Sequence, residues 1–530
     1  MVATERERGK ADNALGLWAL GASSAAAAFA LLQVSAFVTA GFAFDYPLDD
    51  VYIHLSMSEQ IAAGGYGVNQ GEVASASSSI LYPLLLAPFA GMAIHPVMPL
   101  ILNALGVVLS GALFGAIIDA SGGPRKLGFY IVLIGPLLLN LAGAGFAGME
   151  HSLHVTATLA VGLGLIKFTE LSRITPLLVL GCLAGPLLRF EGLGVSLAAI
   201  GILVVHGRFV AAAGIGILVL VPLAAFAAYL TGLGMNVLPN SVMVKLGEAA
   251  KDVSPQDSAV FAAFSDNMHQ SAAWLMLALS AAAVVMLPLL RRDRWVSAAV
   301  LALMIASVLL AHLLISKVFI ASRYETYAVA LSIATLFYLA GRHARPGAGR
   351  VGQIALLIVT LAFGGYYMKI FAERGLYAPA AVLAQQGQMA AFTHSEWRQT
   401  VAVNDLGYVS YRSPVYVLDL FGLGNTEAMR LRTGAAPDGW ADDLVQTADV
   451  RLIMIYADWF APDVTAGWTP VGSLGIIGPA GYLGGRDVTF YAARPEDVAD
   501  IIAALERFLP DLHPGARFTY ATDSLKGTSQ

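Results

Sequence analysis

The chain has 530 residues, of which 57% are hydrophobic and 13% charged, with a formal net charge of −5. Ordinary soluble domains carry roughly 25% charged residues, so this composition excludes a soluble cytosolic enzyme, and the abundance of apolar residues excludes a disordered or collagen-like chain. The mean hydropathy of +0.69 leaves a polytopic membrane protein; 31 Lys and Arg against 36 Asp and Glu offer no basic surface for nucleic acid, and the single Cys182 can form neither an intramolecular disulfide nor a thiolate cluster.

The charged N-terminus MVATERERGK precedes an apolar stretch from Leu15 to Phe44. A signal peptide has an apolar core of about 7–15 residues, so this longer stretch reads as a first, uncleaved span. Apolar runs predict spans near 15–41, 97–119, 128–147, 152–167, 174–188, 193–206, 209–230, 273–290, 295–316, 325–340 and 352–372. Ile80–Ile94 is short, contains Pro83 and Pro88 and ends at His95-Pro96, which reads as a half-inserted segment. The basic loops are Arg125-Lys126, Lys167 to Arg173, His206 to Arg208, Arg291 to Arg294 and Arg342 to Arg350. They share one side with Arg6, Arg8 and Lys10 only if Ile80–Ile94 does not cross. The positive-inside rule then gives about eleven crossings, a cytoplasmic N-terminus and an outer C-terminus.

The outer side is then expected to hold the loop 42–79, the turn at Gly148-Met149-Glu150, the loop Thr231–Ser271 and the region 373–530. The last region changes character. Strand-like runs Val401–Val403, Val415–Leu418, Arg451–Ile455 and Val488–Ala492 are separated by Gly, Asp and Pro turns, and Pro495 to Phe508 has an amphipathic helical pattern. The expected fold is a polytopic α-helical membrane domain over 1–372 and a small extracytoplasmic α/β domain over 373–530.

The first outer loop carries Asp45, Asp49 and Asp50 within six positions, together with Tyr52 and His54. Neighbouring carboxylates repel one another, which raises the proton affinity of one of them. Such a group suits a general base or a cation site, and a solvated acidic loop is the plain alternative. Charges at the ends of spans are costly and therefore informative. Glu150 and His151, Arg189 and Glu191, Asn240 and Lys245, and Arg323 and Tyr324 all fall on the same expected side as the acidic pair. An Arg189–Glu150 structural ion pair is the competing explanation for two of them. In the outer region, Trp440, Trp459 and Trp468 are candidates either for stacking on sugars or for packing a core.

The order of these pieces resembles the GT-C superfamily of integral-membrane glycosyltransferases, close to the bacterial arabinofuranosyltransferase-like branch. The resemblance rests on Asp49-Asp50-Val51-Tyr52-Ile53, Gly65-Tyr66-Gly67-Val68-Asn69-Gln70-Gly71-Glu72, the Ser-rich turn, and Gly148-Met149-Glu150. It continues in Arg189-Phe190-Glu191-Gly192, Leu238-Pro239-Asn240-Ser241 with Lys245, Arg323-Tyr324, and the outer runs Val401–Gly407 and Val417–Leu423. It implies an inverting transfer of sugar from a polyprenyl-phosphate donor to a hydroxyl of a cell-envelope glycan, glycolipid or protein. The enzyme would sit in the bacterial plasma membrane among its lipids, with the site outside. It implies Asp50 or Asp49 as general base, with Asp50 preferred. Tyr52, His54, Glu150, His151, Arg189, Glu191, Asn240 and Tyr324 would form the substrate site, and Lys245 and Arg323 would hold the donor phosphate. Asp49 and Asp50 are also the candidate ligands of a divalent cation, Mg or Mn. The chain departs from relatives at Val73-Ala74-Ser75-Ala76-Ser77-Ser78, so acceptor specificity is not carried over. The alternative reading is a lipid or oligosaccharide transporter or flippase, marked by charges and a cavity at the membrane midplane.

Overall fold

The computed structural model describes residues 16–244, 259–318, 321, 323–345, 347–434, 439–460 and 467–521. Among the described residues, eight helical segments are long and apolar enough to cross a membrane: Leu17–Thr39, His95–Ala120, Arg125–Phe146, His151–Leu171, Phe209–Gly232, Ser271–Leu289, Arg292–Ile315 and the run Ala348–Trp397, which begins with the helix Ala348–Glu373. Three shorter apolar helices, Pro176–Leu188, Gly192–Val205 and Thr326–Arg342, lie between them in the expected order. The protein is therefore multi-pass by the length and composition of its helices. Large apolar side chains such as Ile217, Leu220 and Val221 on Phe209–Gly232 are exposed, as expected where the surrounding medium is lipid.

The interruptions have local causes. Pro136 removes a helical donor, and two residues past Leu138 Asn140 adopts a left-handed conformation (φ 58°), so Arg125–Leu138 and Leu141–Phe146 are separate helices. Ile80–Ile94 folds as a six-residue helix, Leu81–Leu86, continued by the 3-10 turn Ala87–Phe89. At about 1.5 to 2 Å per residue it is too short to span a ~30 Å hydrocarbon core. Gly21 faces Gly111, so the first helix and Met98–Ala120 cross with their backbones close together.

The loop ends sort into two groups. Glu170, near the end of His151–Leu171, accepts from Arg294 (2.9 Å) and Arg342 (3.4 Å). His206 contacts Ser297 at 3.1 Å. The basic loops thus gather at one end of the bundle. Glu150, at the opposite end of that same helix, belongs to the other group.

The C-terminal domain holds one mixed six-stranded sheet in the order β2-β1-β3-β5-β4-β6. The strands are β1 Val401–Val403, β2 Val417–Asp419, β3 Leu452–Ile455, β4 Thr469–Ile476, β5 Asp487–Ala492 and β6 Ala516–Tyr520. β1 pairs in parallel with β2 and β3, and the remaining pairs are antiparallel. The expected amphipathic helix is Val498–Phe508, preceded by a 3-10 turn at Pro495–Asp497. β4 and β6 were not legible in the sequence. β4 contains Gly472 and Gly475, poor strand formers, and a Cβ at Gly472 would lie 2.5 Å from Phe518 of β6. The glycine makes room for the aromatic ring of the neighbouring strand.

The sheet domain and the helical domain share packing. Ile53, Met57, Val68 and Ala76 from the first loop belong to the same buried cluster as Val401, Val403, Met454 and Phe490. Trp440 and Trp468 are both buried in the sheet's second core, so packing is what these two indoles do. Trp459 is different: it is 38% exposed.

Candidate functional site

A cavity of about 330 Å³ lies where the first loop meets the C-terminal domain. Asp49, Asp50, His54, Ser77 and Ser78 come from the first loop, and Ser241 from the long later loop. Lys317, Arg323 and Tyr324 come from the segment before Thr326–Arg342. The C-terminal domain contributes Gln386, Asn404, Asp405, Phe421, Trp459 and Gly484. Residues as far apart in sequence as 49 and 484 thus share one cavity at the end of the bundle opposite the basic loops.

The two adjacent acids have different surroundings. Asp49 accepts from the backbone N–H of Gly407 (2.7 Å) and Tyr408 (2.8 Å), so both its oxygens are tied to the C-terminal domain. A Cβ at Gly407 would strike the Asp49 carbonyl, so this approach requires a glycine. Asp50 begins the helix Asp50–Ala62, and its side chain is 40% exposed. It accepts from Arg323 Nη2 at 2.7 Å. The Arg323 side chain is only 3% exposed, and its Nε and Nη1 have no partner among the described residues. A buried guanidinium with spare donors is ready for a further anion.

Beneath the cavity runs a buried ionic network. Glu150 is fully buried and accepts from Arg189 Nη1 (2.8 Å) and Ser78 Oγ (2.9 Å). Its other oxygen lies 3.2 Å from His54 Nε2. Arg189 also donates to Glu191 Oε1 at 2.7 Å and lies 3.0 Å from His151 Nε2. The guanidinium groups of Arg189 and Arg323 sit 4.6 and 5.2 Å from the centre of the Tyr324 ring. The Arg189–Glu150 pair named as a structural alternative is present. It holds His54 and Ser78, which do face the cavity, in place.

The expected site residues therefore divide. Asp49, Asp50, His54, Arg323 and Tyr324 line the cavity. Glu150, His151, Arg189 and Glu191 lie in the network that supports it. Tyr52 turns away: it donates to Asp45 and stacks on Tyr408 with ring centres 4.0 Å apart. Asn240 docks one segment on another, donating to Leu423 O (3.3 Å) and Thr426 Oγ1 (3.2 Å). Lys245 lies outside the described residues. Burial pushes the Asp45 carboxyl up to about 6, against the lowering effect of its bond from Tyr52; this acid belongs to the tyrosine cluster and does not line the cavity.

Sequence reasoning missed Lys317, Gln386, Asn404 and Asp405. Asn404-Asp405 directly follow β1, in a run already singled out, and Gln385-Gln386 form a polar pair inside an otherwise small and apolar helical stretch. Both were signals of a site without a stated role. Burial, opposed by a bond from Gln386 Nε2 (2.9 Å) and reinforced by Asp50, pushes the Asp405 carboxyl up to about 6. Burial and the Asp405 charge likewise raise Asp49. A carboxyl raised in the folded state binds its proton more tightly there than in the unfolded chain. Stability from Asp405 is thus greatest below about pH 4 and declines as pH rises toward 6. Asp405→Asn is expected to raise the melting temperature at pH 7.5 and to flatten its pH dependence over about pH 4 to 6. Parallel melting curves for the two proteins across that window would reject this assignment.

Asp49 and Asp50, the candidate ligands of a divalent cation, are each engaged by the protein itself. Both Asp49 oxygens accept N–H groups, Asp50 faces Arg323, and among the described residues no three His, Cys, Asp or Glu side chains gather to hold a metal.

Residues 379–491 match the model of a domain of unknown function, DUF8728. The matched segment contains Gln386, Asn404, Asp405 and Trp459, the part of the cavity wall that the C-terminal domain contributes. No curated protein and no solved structure matches the chain.

Proposed function

We propose that the protein is a GT-C-type glycosyltransferase that moves sugar from a polyprenyl-phosphate donor to an acceptor hydroxyl outside the membrane. The observation that carries this reading is the meeting of Asp50 and Arg323 in one cavity. An exposed carboxylate and a buried guanidinium with spare donors are the two groups that such a transfer needs. As the acceptor oxygen attacks the anomeric carbon, Asp50 takes its proton. The bond from that carbon to the phosphate oxygen breaks, and the electron pair leaves with the phosphate. Arg323, with Lys317 nearby, stabilises the charge that develops there. Attack from the face opposite the phosphate inverts the anomeric carbon. Asp49 serves as an anchor that holds the C-terminal domain over the site.

In this reading the eight long and three short apolar helices all cross the membrane. The end with the basic loops faces the cytoplasm, by the positive-inside rule, and the cavity faces out. Leu84, Met92 and Ile94 on the half-inserted segment are exposed apolar side chains, suited to a polyprenyl chain lying beside the cavity. The location of the cavity at one end of the bundle, away from the middle of the helices, favours transfer over transport.

The test is a transfer assay on the purified full-length protein in lipid, offering a panel of polyprenyl-phosphate sugars and scoring release of polyprenyl phosphate. Release by the wild type and not by the Asp49→Asn/Asp50→Asn double variant is expected. A wild-type protein that neither binds nor turns over any of these lipids would sink the reading.

A further inference from the structure

We infer that the carboxyl edge of the C-terminal domain's parallel strands is a subsite for a neutral, hydroxyl-bearing sugar ring, with Trp459 as its stacking face and Asn404 and Gln386 as its hydrogen-bonding partners. The location comes from the topology. β1 lies between β2 and β3 and is parallel to both. The chain passes from β1 to β2 on one side and then to β3 on the other, so the order reverses beside β1. In α/β sheets the crevice outside the carboxyl ends at such a reversal is where ligands bind. Asn404 follows the last residue of β1, and Trp459 follows β3 by four positions. The Asn404 Oδ1 accepts the Tyr456 N–H at 2.9 Å, so the two strand ends are joined across the crevice. Both residues line the same cavity as Asp50 and Arg323.

The chemistry comes from what is left unpaired. Asn404 is 3% exposed and Gln386 1%. Among the described residues, Asn404 Nδ2 and Gln386 Oε1 have no hydrogen-bond partner. One is a donor and the other an acceptor, which matches a group that both donates and accepts, as a sugar hydroxyl does. Buried polar atoms without partners are rare and call for an explanation. Trp459 supplies the apolar half. Its ring packs in tilted contacts with Tyr456 and Phe421, with centres 5.2 and 5.6 Å away. A Cβ at Gly484 would come 2.5 Å from its Cζ2, so the glycine gives the indole its seat. The indole is held in place yet remains substantially exposed beside a cavity. A flat apolar face lining the same cavity as a spare donor and a spare acceptor suits the C–H face and hydroxyl rim of a sugar ring. The placement of this ring in a reaction rests on the glycosyltransferase reading; its binding does not. The ring belongs either to the donor lipid or to the acceptor glycan.

The experiment measures binding to the full-length protein in lipid nanodiscs. The probes are a panel of methyl pyranosides and furanosides, undecaprenyl phosphate, and undecaprenyl-phosphate sugars. At least one methyl glycoside should bind the wild type, and Trp459→Ala and Asn404→Asp should each weaken it by about 5- to 10-fold, the loss of one net contact. Asn404→Asp keeps the oxygen that accepts from Tyr456, and Trp459→Phe should restore part of the binding. Arg323→Gln should leave glycoside binding unchanged while abolishing that of undecaprenyl phosphate. If Trp459→Ala also weakens the undecaprenyl-phosphate sugar, the ring is the donor's; if only the free glycoside is affected, it is the acceptor's. Glycoside binding that is absent in the wild type, or equal in wild type and both variants, would overturn the subsite. That result would leave the transferase reading standing wherever undecaprenyl phosphate still binds through Arg323. Glycosides held through Trp459 in a protein that never binds the lipid phosphates would retain the subsite and remove the transferase reading.

Discussion

Asp50→Asn is expected to lower sugar transfer by about 10²- to 10⁴-fold, the range that a positioned general base supplies, with little change in thermal stability. The asymmetry between the two adjacent acids is the reason. Asp50 is substantially exposed and, among the described residues, pairs with Arg323; an amide in its place keeps an oxygen to accept from that guanidinium and removes a charge but no packing. Asp49 has both oxygens bound by backbone N–H groups of the other domain. Asp49→Asn should therefore act first on stability, because an amide nitrogen meets one of those N–H donors in place of an acceptor oxygen. Measuring turnover and melting temperature for both variants separates the two roles. Full turnover by folded Asp50→Asn would move the base to another carboxylate of the cavity, with Asp405 the next to test.

The largest loss of stability is expected at Arg189. Replacing it by Met leaves Glu150, fully buried, and Glu191 without the guanidinium that both accept from. Breaking a buried pair by removing one partner costs about 3–5 kcal/mol, because the remaining charge is stranded in a medium of low dielectric. The network also sets the positions of His54 and Ser78 at the cavity wall, so activity should fall with stability. Adding Glu150→Gln to Arg189→Met should recover part of the loss, since a neutral amide is cheaper to bury than a lone carboxylate. Thermal unfolding of the single and double variants in one lipid environment gives the answer. A single variant that melts within about 2 °C of the wild type would show that the network does not hold the bundle together.

Much of the helical domain was legible in the sequence because lipid imposes a simple rule. Every span must be apolar and must satisfy its own backbone, so composition and length mark it. The short Ile80–Ile94 segment announced itself through its prolines, and the loop charges grouped the helix ends. The acidic pair was equally visible, since Asp49 and Asp50 are adjacent carboxylates just past the end of a long apolar stretch. What the sequence could not divide was their labour. That depended on Gly407 and Tyr408, more than 350 positions away, which claim Asp49 and leave Asp50 to Arg323. Tyr52 illustrates the converse: its place in the motif suggested the site, but rotation about the helix Asp50–Ala62 turned it into the tyrosine cluster.

By itself the sequence determined a multi-pass helical chain with a small sheet domain, and the residues on which chemistry would depend. The tertiary structure alone decided which of those residues meet. Hydropathy is a local property, written residue by residue, whereas a cavity is made by contacts between distant segments. No local pattern records that the ends of β1 and β3 close over the first loop, bringing Asn404, Asp405 and Trp459 to the same space as Asp50.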